Sequence, residues 1–305
     1  MTATDESEHT NTKHSSANST NQTLPAWAAK PHDDFITHSR EIHDVLHLAC
    51  SGIGSHQLRP DIIKFLAKYD EDHGDPGTQT AGDSTELKEA ERKAALAKRE
   101  IDKDFPLLHA QALISSWTAL EVFIESLLTA WLENEPSARE TDIVQRLKVR
   151  LWEYEQMDLQ ERCLYTVQLL QREVSGPLAS GTTALEAQLL PFDLSGPVPD
   201  DIRKDLFEAH HVRHVLVHRR GIADRRLVEG CPWLGLSIGE PILLGHHDFG
   251  RLGLAILHYA AVVNDRVRVE FGLEPEVPGI LERQSRGNEA DPAEEATEEG
   301  DRPPS

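Results

Sequence analysis

The chain is short of apolar and aromatic side chains. Hydrophobic residues make up 39% of its 305 residues and aromatics 6%, against roughly 45–50% apolar residues in ordinary globular domains. The shortfall sits at the ends. Residues 1–23 are mostly Ser, Thr, Asn and charged residues, and residues 283–305 hold at most one Ile, Leu, Val or aromatic side chain. Segments of that composition bury too little apolar surface to offset the entropy of ordering. Cysteine is scarce as well: Cys50, Cys163 and Cys231 are far apart and odd in number, which excludes a disulfide scaffold and a CxxC zinc ribbon. The first residues contain no apolar stretch of signal-peptide type. The longest apolar run, Leu252 to Val263, is too short for a ~30 Å hydrocarbon core. These absences lead to the expectation of a cytoplasmic protein with no membrane partner.

Basic charge is also in short supply. The chain has 31 Lys and Arg against 52 Asp and Glu, a net charge of −21. The tails 1–30 and 283–305 carry −1 and −4 of it, so the middle keeps −16. Phosphate backbones are bound mainly through electrostatic attraction. A nucleic-acid activity must therefore rest on a local basic site rather than a broad patch.

What remains is enough apolar sequence for one core. The expected organisation is a disordered N-terminal arm (1–31), one helical domain (32–275, with its core at about 100–272) and a disordered acidic tail (276–305). Within the domain, short helices are expected at Ser39–Cys50 and Pro60–Tyr69, with Ser51–Gly54 as a helix-ending turn and a polar loop from Asp70 to Gly82. A Glu-, Lys- and Ala-rich stretch from Ser84 to Asp102 has high helix propensity. From Pro106 to Leu132, apolar residues recur at three- and four-residue steps, including Leu113, Trp117, Leu120, Ile124, Leu127 and Trp131, the pattern of a helix with a broad buried face. Helical spacing continues through Glu140–Trp152 and Leu159–Glu173, and Gly176-Pro177 breaks it. Pro199 with Asp200 and Asp201 opens a helix that runs to about Arg220 and stops at Gly221. Leu234–Ile238 and Ile242–Leu244, flanking Gly239-Glu240-Pro241, suggest a small β-hairpin. A last helix spans His247–Phe271. The fold class is all-α, a helical bundle with one small late hairpin and disordered tails.

Three apparent motifs lack the context their chemistry requires. Gly235-Leu-Ser237-Ile-Gly239 matches a nucleophile elbow but has no helix start after its serine. Ser51-Gly-Ile-Gly54 has no strand before it and no third spaced glycine, so it is not a dinucleotide loop. His210, His214 and His218 share a helix face and resemble zinc or nickel ligands, but no acid lies among them and Arg213 adjoins His214, so no metal is expected.

The most informative stretch is Arg213–Arg226. It holds five Arg (213, 219, 220, 225 and 226), two His and a single acid, Asp224, a sign reversal within an acidic middle. Arg without Lys favours planar, bidentate recognition of phosphate or carboxylate. Histidine titrates near neutrality and serves as general acid or base. Together they suit RNA cleavage by its own 2′-hydroxyl, which needs proton transfers and anion stabilisation but no cofactor.

Arg213-His214-x-x-x-His218 is an R-x4-H motif, and Arg219-x-Gly221-Ile222-Ala223-Asp224 follows it. With the earlier Trp117-x-x-Leu120-Glu121 helix, this segment resembles the HEPN superfamily, the higher-eukaryote and prokaryote nucleotide-binding domain. The resemblance covers about residues 100–272, by motif and element order. It implies an all-α bundle that dimerises and brings two R-x4-H motifs across a cleft. It also implies a metal-independent endoribonuclease with RNA as substrate, and a toxin or antiviral-defence effector with an antitoxin or defence partner protein. Carried onto this chain, Arg213 would bind the scissile phosphate and His218 would be the main acid/base. His214 would hydrogen-bond phosphate from a position where the family often has Asn or Asp. Glu121 would orient Arg213 or a histidine, unless it is an ordinary exposed carboxylate. Two other functions stay open: a non-catalytic HEPN-like module that binds a nucleotide or protein, and a metal-dependent activity on the histidine stripe.

Overall fold

The computed structural model describes residues 23–73, 84–174 and 181–277. Of the loop expected from Asp70 to Gly82, residues 70–73 are helical; residues 74–82, the break at Gly176-Pro177 and most of both tails lie outside the described residues. Ten α-helices are formed among them: α1 (Ala26–His73), α2 (Ser84–Asp102), α3 (Pro106–Asn134), α4 (Asp142–Arg146), α5 (Leu151–Gln156), α6 (Leu159–Val174), α7 (Thr182–Leu189), α8 (Asp200–His218), α9 (Arg225–Gly230) and α10 (His246–Glu270). The all-α class is therefore seen.

The apolar spacing of Pro106–Leu132 has its expected consequence. Leu113, Leu120, Ile124 and Leu128 of α3 are fully buried, and the helix packs against α1, α6, α8 and α10. Pro106 occupies its first turn, where a missing N–H costs nothing. By length and composition alone α3 would also span a membrane. Here its apolar face is covered by those four helices.

Two buried ion networks lock α7, α8 and α10 around this core. The Glu186 carboxylate of α7 accepts from Tyr259 Oη (2.8 Å) and Arg266 Nη1 (2.9 Å) of α10 and from the Gly196 backbone N–H (2.8 Å). The buried Glu208 carboxylate of α8 pairs with Arg251 of α10 and accepts from Trp233 Nε1 (2.6 Å). At Gly181, with φ +58°, a Cβ would meet the Phe207 Cα at 3.0 Å, so a side chain there would push α7 away from α8.

The structure departs from the sequence expectations at five places. The two short N-terminal helices are one, α1, which runs through Gly52, Gly54 and Pro60 to His73. Each glycine costs only ~1 kcal/mol, and Pro60 is buried together with Ile63 on the side where α2 packs. The boundary drawn at residue 31 falls inside the same helix, because Ala28 is buried and Trp27 packs edge-on against Trp131 and Phe271. At the other end, the Glu276 backbone N–H donates to Asp265 Oδ1 (2.7 Å), so the domain reaches past 275. Glu140–Trp152 forms short pieces rather than one helix, namely a 3-10 turn at Pro136–Glu140, then α4 and α5; none of α4 or α5 is fully buried. Finally, no strand forms among the described residues, and the expected hairpin at 234–244 is not seen. The stretch pairs instead with the turn after α8, through a single antiparallel bridge between Ile222 and Pro241 and a bond from the Ala223 N–H to Glu240 O (2.8 Å). Pro241 has no N–H to continue a ladder.

Candidate functional site

Helix α8 carries the R-x4-H residues and is set by both its faces. Ile202, Leu206, Ala209, Val212 and Val215 are buried and hold it against α3 and α10. Its first turn has Asp200 and Asp201, suited to the positive helix end. It stops at His218, two residues before the expected end. Arg219 is the cap, Arg220 (φ +55°) and Gly221 (φ +75°) are left-handed, and the Gly221 N–H returns to Val215 O (3.1 Å). His218 is thus the last helical residue and stands exposed.

The four candidate residues form two pairs. Arg213 is half-buried, with 25% side-chain exposure, and its Nη2 lies 3.5 Å from Glu121 Oε2 of α3. Glu121 is held in turn by Trp117 Nε1, which donates to Oε1 (2.8 Å). Glu121 thus stands beside Arg213, with 45% of its own side chain exposed. Among the described residues the Arg213 Nε is buried without a hydrogen-bond partner. The second pair is His214 and His218, whose ring centroids are 4.8 Å apart. Arg213 and His218 are five residues apart, about 140° around the helix, so one chain does not bring guanidinium and terminal imidazole together on one face.

The histidine stripe divides. His210 turns inwards, edge-on to Trp117 (centroids 5.4 Å), and burial first, with smaller contributions from His211, Arg226 and Arg213 nearby, pushes its pKa down to about 4. His214 is lowered too, first by burial and then by the His218 and Arg226 charges, so it is a neutral proton acceptor near pH 7. His211, which the sequence did not single out, is buried and donates Nδ1–H to Phe207 O (2.9 Å). Among the described residues no three His, Cys, Asp or Glu converge as metal ligands. Ser237 of the elbow lookalike is exposed in a turn, its N–H donating to Glu240 Oε2 (2.9 Å).

The local positive charge is smaller than the composition implies. Arg213 pairs with Glu121, Arg219 with Asp224 (3.7 Å) and Arg225 with Glu229 (3.9 Å). Arg220 and Arg226 have no ion-pair partner among the described residues. Asp224, counted as the lone opposing acid, also caps α9 by accepting from the Leu227 N–H (3.0 Å). A cavity of about 350 Å³ beside Glu121 is lined by Thr118, Glu125, Gln171 and Gln188. The two glutamines come from α6 and α7, and no sequence motif connected them to the site.

Because His210 has a folded pKa near 4 against an ordinary 6.5, the unfolded chain binds its proton first. This contribution to stability is intact above pH ~6.5 and is lost as pH falls towards 4. Melting temperature followed from pH 7 to pH 4 should therefore drop less steeply in His210→Gln than in the parent.

No protein-family model, no curated protein and no solved structure matches the chain.

Proposed function

We propose that this protein is a metal-independent endoribonuclease of HEPN type, acting in the cytoplasm as a homodimer, with the role of a toxin or defence effector. The observation that supports the reading best is the Arg213 arrangement. Its guanidinium lies beside the Glu121 carboxylate, which Trp117 Nε1 holds in turn, and its Nε is buried and unpaired among the described residues; His214, its pKa lowered by burial, is the next residue. A buried donor without a partner is costly, and a phosphate oxygen would satisfy it. In the reaction, a neutral imidazole takes the 2′-hydroxyl proton and the 2′-oxygen attacks the adjacent phosphorus. Arg213 stabilises the added negative charge, and an imidazolium, principally His218, protonates the departing 5′-oxygen. The products are a 2′,3′-cyclic phosphate and a free 5′-hydroxyl. Because Arg213 and His218 point apart in one chain, two motifs facing each other across a two-fold axis would complete the site. Exposed Val217 and Ile222 would carry that contact, since facing arginines repel.

The pairing of three of the five arginines favours a second reading, a non-catalytic HEPN-like module that holds a nucleotide or a partner protein. One assay separates the two. Purified protein incubated with end-labelled RNA in EDTA should release 5′-hydroxyl fragments under the first reading. No cleavage, with saturable nucleotide or protein binding, would support the second. Activity that disappears on chelation would defeat both.

A further inference from the structure

Past Cys50 only Pro60 and Ile63 of α1 are buried, both on the side where α2 packs with Ala90 and Ala97 and with the Lys64–Glu91 (3.0 Å) and Arg59–Glu86 (3.5 Å) ion pairs. The opposite side is apolar and open. Leu48, Leu58, Ile62, Phe65, Leu66 and Tyr69 are all exposed, Phe65 to 68% and Leu58 to 62%. At 100° per residue these six fall within a stripe of about 100°. Residues 48, 51, 55, 58, 62, 65 and 69 follow one another in alternating three- and four-residue steps, a heptad seam with Ser51 and Ser55 as its polar members. Such a seam is built to receive another helix.

The rest of this sequence does not supply one. Residues 1–22, 74–83, 175–180 and 278–305 contain, among Met, Val, Ile, Leu and aromatics, only Met1, Leu178, Ile280 and Leu281. A second copy of α1 does supply it. The six residues expose roughly 700 Å² per copy, so covering all of it in a pair would bury about 1,400 Å², the upper limit for this seam and within the range of stable interfaces. Charge favours one direction. A parallel pair would set Asp44 against Asp44 and Asp72 against Asp72, at the seam and its edge by helical phase. An antiparallel pair, centred between Leu58 and Arg59, sets Asp44 opposite His73 and Leu48 opposite Tyr69 instead.

We propose that this exposed seam of α1 joins two copies of the chain as an antiparallel helix pair, at a surface separate from the α8 face and independent of any nuclease activity. Sedimentation equilibrium of the full chain at micromolar concentration tests it. The double variant Ile62→Glu/Phe65→Glu should sediment at half the parent mass with unchanged helical circular dichroism. Should that variant lose helicity, Leu58→Ser/Phe65→Ser removes apolar area without adding charge and should raise the dissociation constant at least ~10-fold. In a Cys50→Ser background, Leu48→Cys and Tyr69→Cys proteins should form a disulfide with each other on mixing and not each with itself. A monomeric parent, an assembly that both seam variants leave unchanged, or self-cross-linking of either cysteine variant would overturn the proposal.

Discussion

Replacing His218 with alanine should lower RNA cleavage by ~10²–10⁴-fold, the ordinary cost of losing a positioned acid/base, while the melting curve barely moves. His218 is exposed at the last turn of α8, so truncation opens no cavity, and surface changes of this kind stay within about 1 kcal/mol. Arg213→Ala should cost activity on the same scale. It removes one partly exposed ion pair to Glu121, which adds little to stability. His214→Ala should be milder, and His210→Ala nearly silent in activity, because the His210 ring is turned against Trp117. Initial rates on one labelled RNA, with thermal melts of the same four preparations, check the ordering. A metal-dependent activity would instead make the three histidines comparably essential and Arg213 dispensable. If His218→Ala unfolds the protein, the catalytic assignment fails.

The largest stability effect should come from Glu186→Ala, far from the candidate site. That carboxylate is the shared partner of Tyr259, which is wholly buried, and of Arg266, only 8% exposed. Removing one member of a buried pair leaves a charge without compensation and costs ~3–5 kcal/mol, a fall in melting temperature of roughly 10 °C for a domain of this size. Glu186→Gln should recover part of the loss, since the amide oxygen still accepts from the Tyr259 hydroxyl. The exposed Lys30–Asp34 pair is a control. Asp34→Ala should cost less than ~1 kcal/mol. Calorimetry on the three variants distinguishes the cases, and equal melting temperatures for Glu186→Ala and Asp34→Ala would refute the assignment.

Where apolar periodicity was strong and uninterrupted, the sequence was a sound guide. α2, α3, α6, α8 and α10 begin and end within two residues of expectation, because each buries one face continuously or, in α2, has strong intrinsic propensity. Reading failed where local signals opposed tertiary packing. Two glycines and a proline announced a break in α1 that Pro60 and Ile63, packed towards α2, override. The 234–244 stretch looked like a self-paired hairpin, yet its partner is the turn after α8, a choice that depends on three-dimensional proximity alone. At the candidate site, residue types and helix phase placed Arg213, His214 and His218 on one helix. Spacing could not show that Glu121, about 90 residues earlier in sequence, reaches Arg213, which depends on how α3 lies beside α8. The Arg219–Asp224 and Arg225–Glu229 pairs are sequence neighbours, the second at i,i+4 within α9, a spacing at which opposite charges meet. The exposed seam of α1 is not legible in sequence for a related reason, since apolar residues at helical spacing look alike whether their partner is the same chain or another.

At 1.5 Å per residue, the 48 residues of α1 measure about 70 Å, more than twice the width of a small domain. Only its first half is anchored in the bundle core, so the second half is an arm whose tip is a fixed number of turns from Arg213 and His218. In an antiparallel pair joined at that arm, the separation of the two bundles is measured out by helical rise, like a ruler, and their relative rotation by helical phase. Each residue inserted between Ser51 and Leu58 would move both bundles ~1.5 Å outwards, ~3 Å in their separation, and swing each by ~100°. Seven added together would restore the original phase at a separation ~20 Å greater.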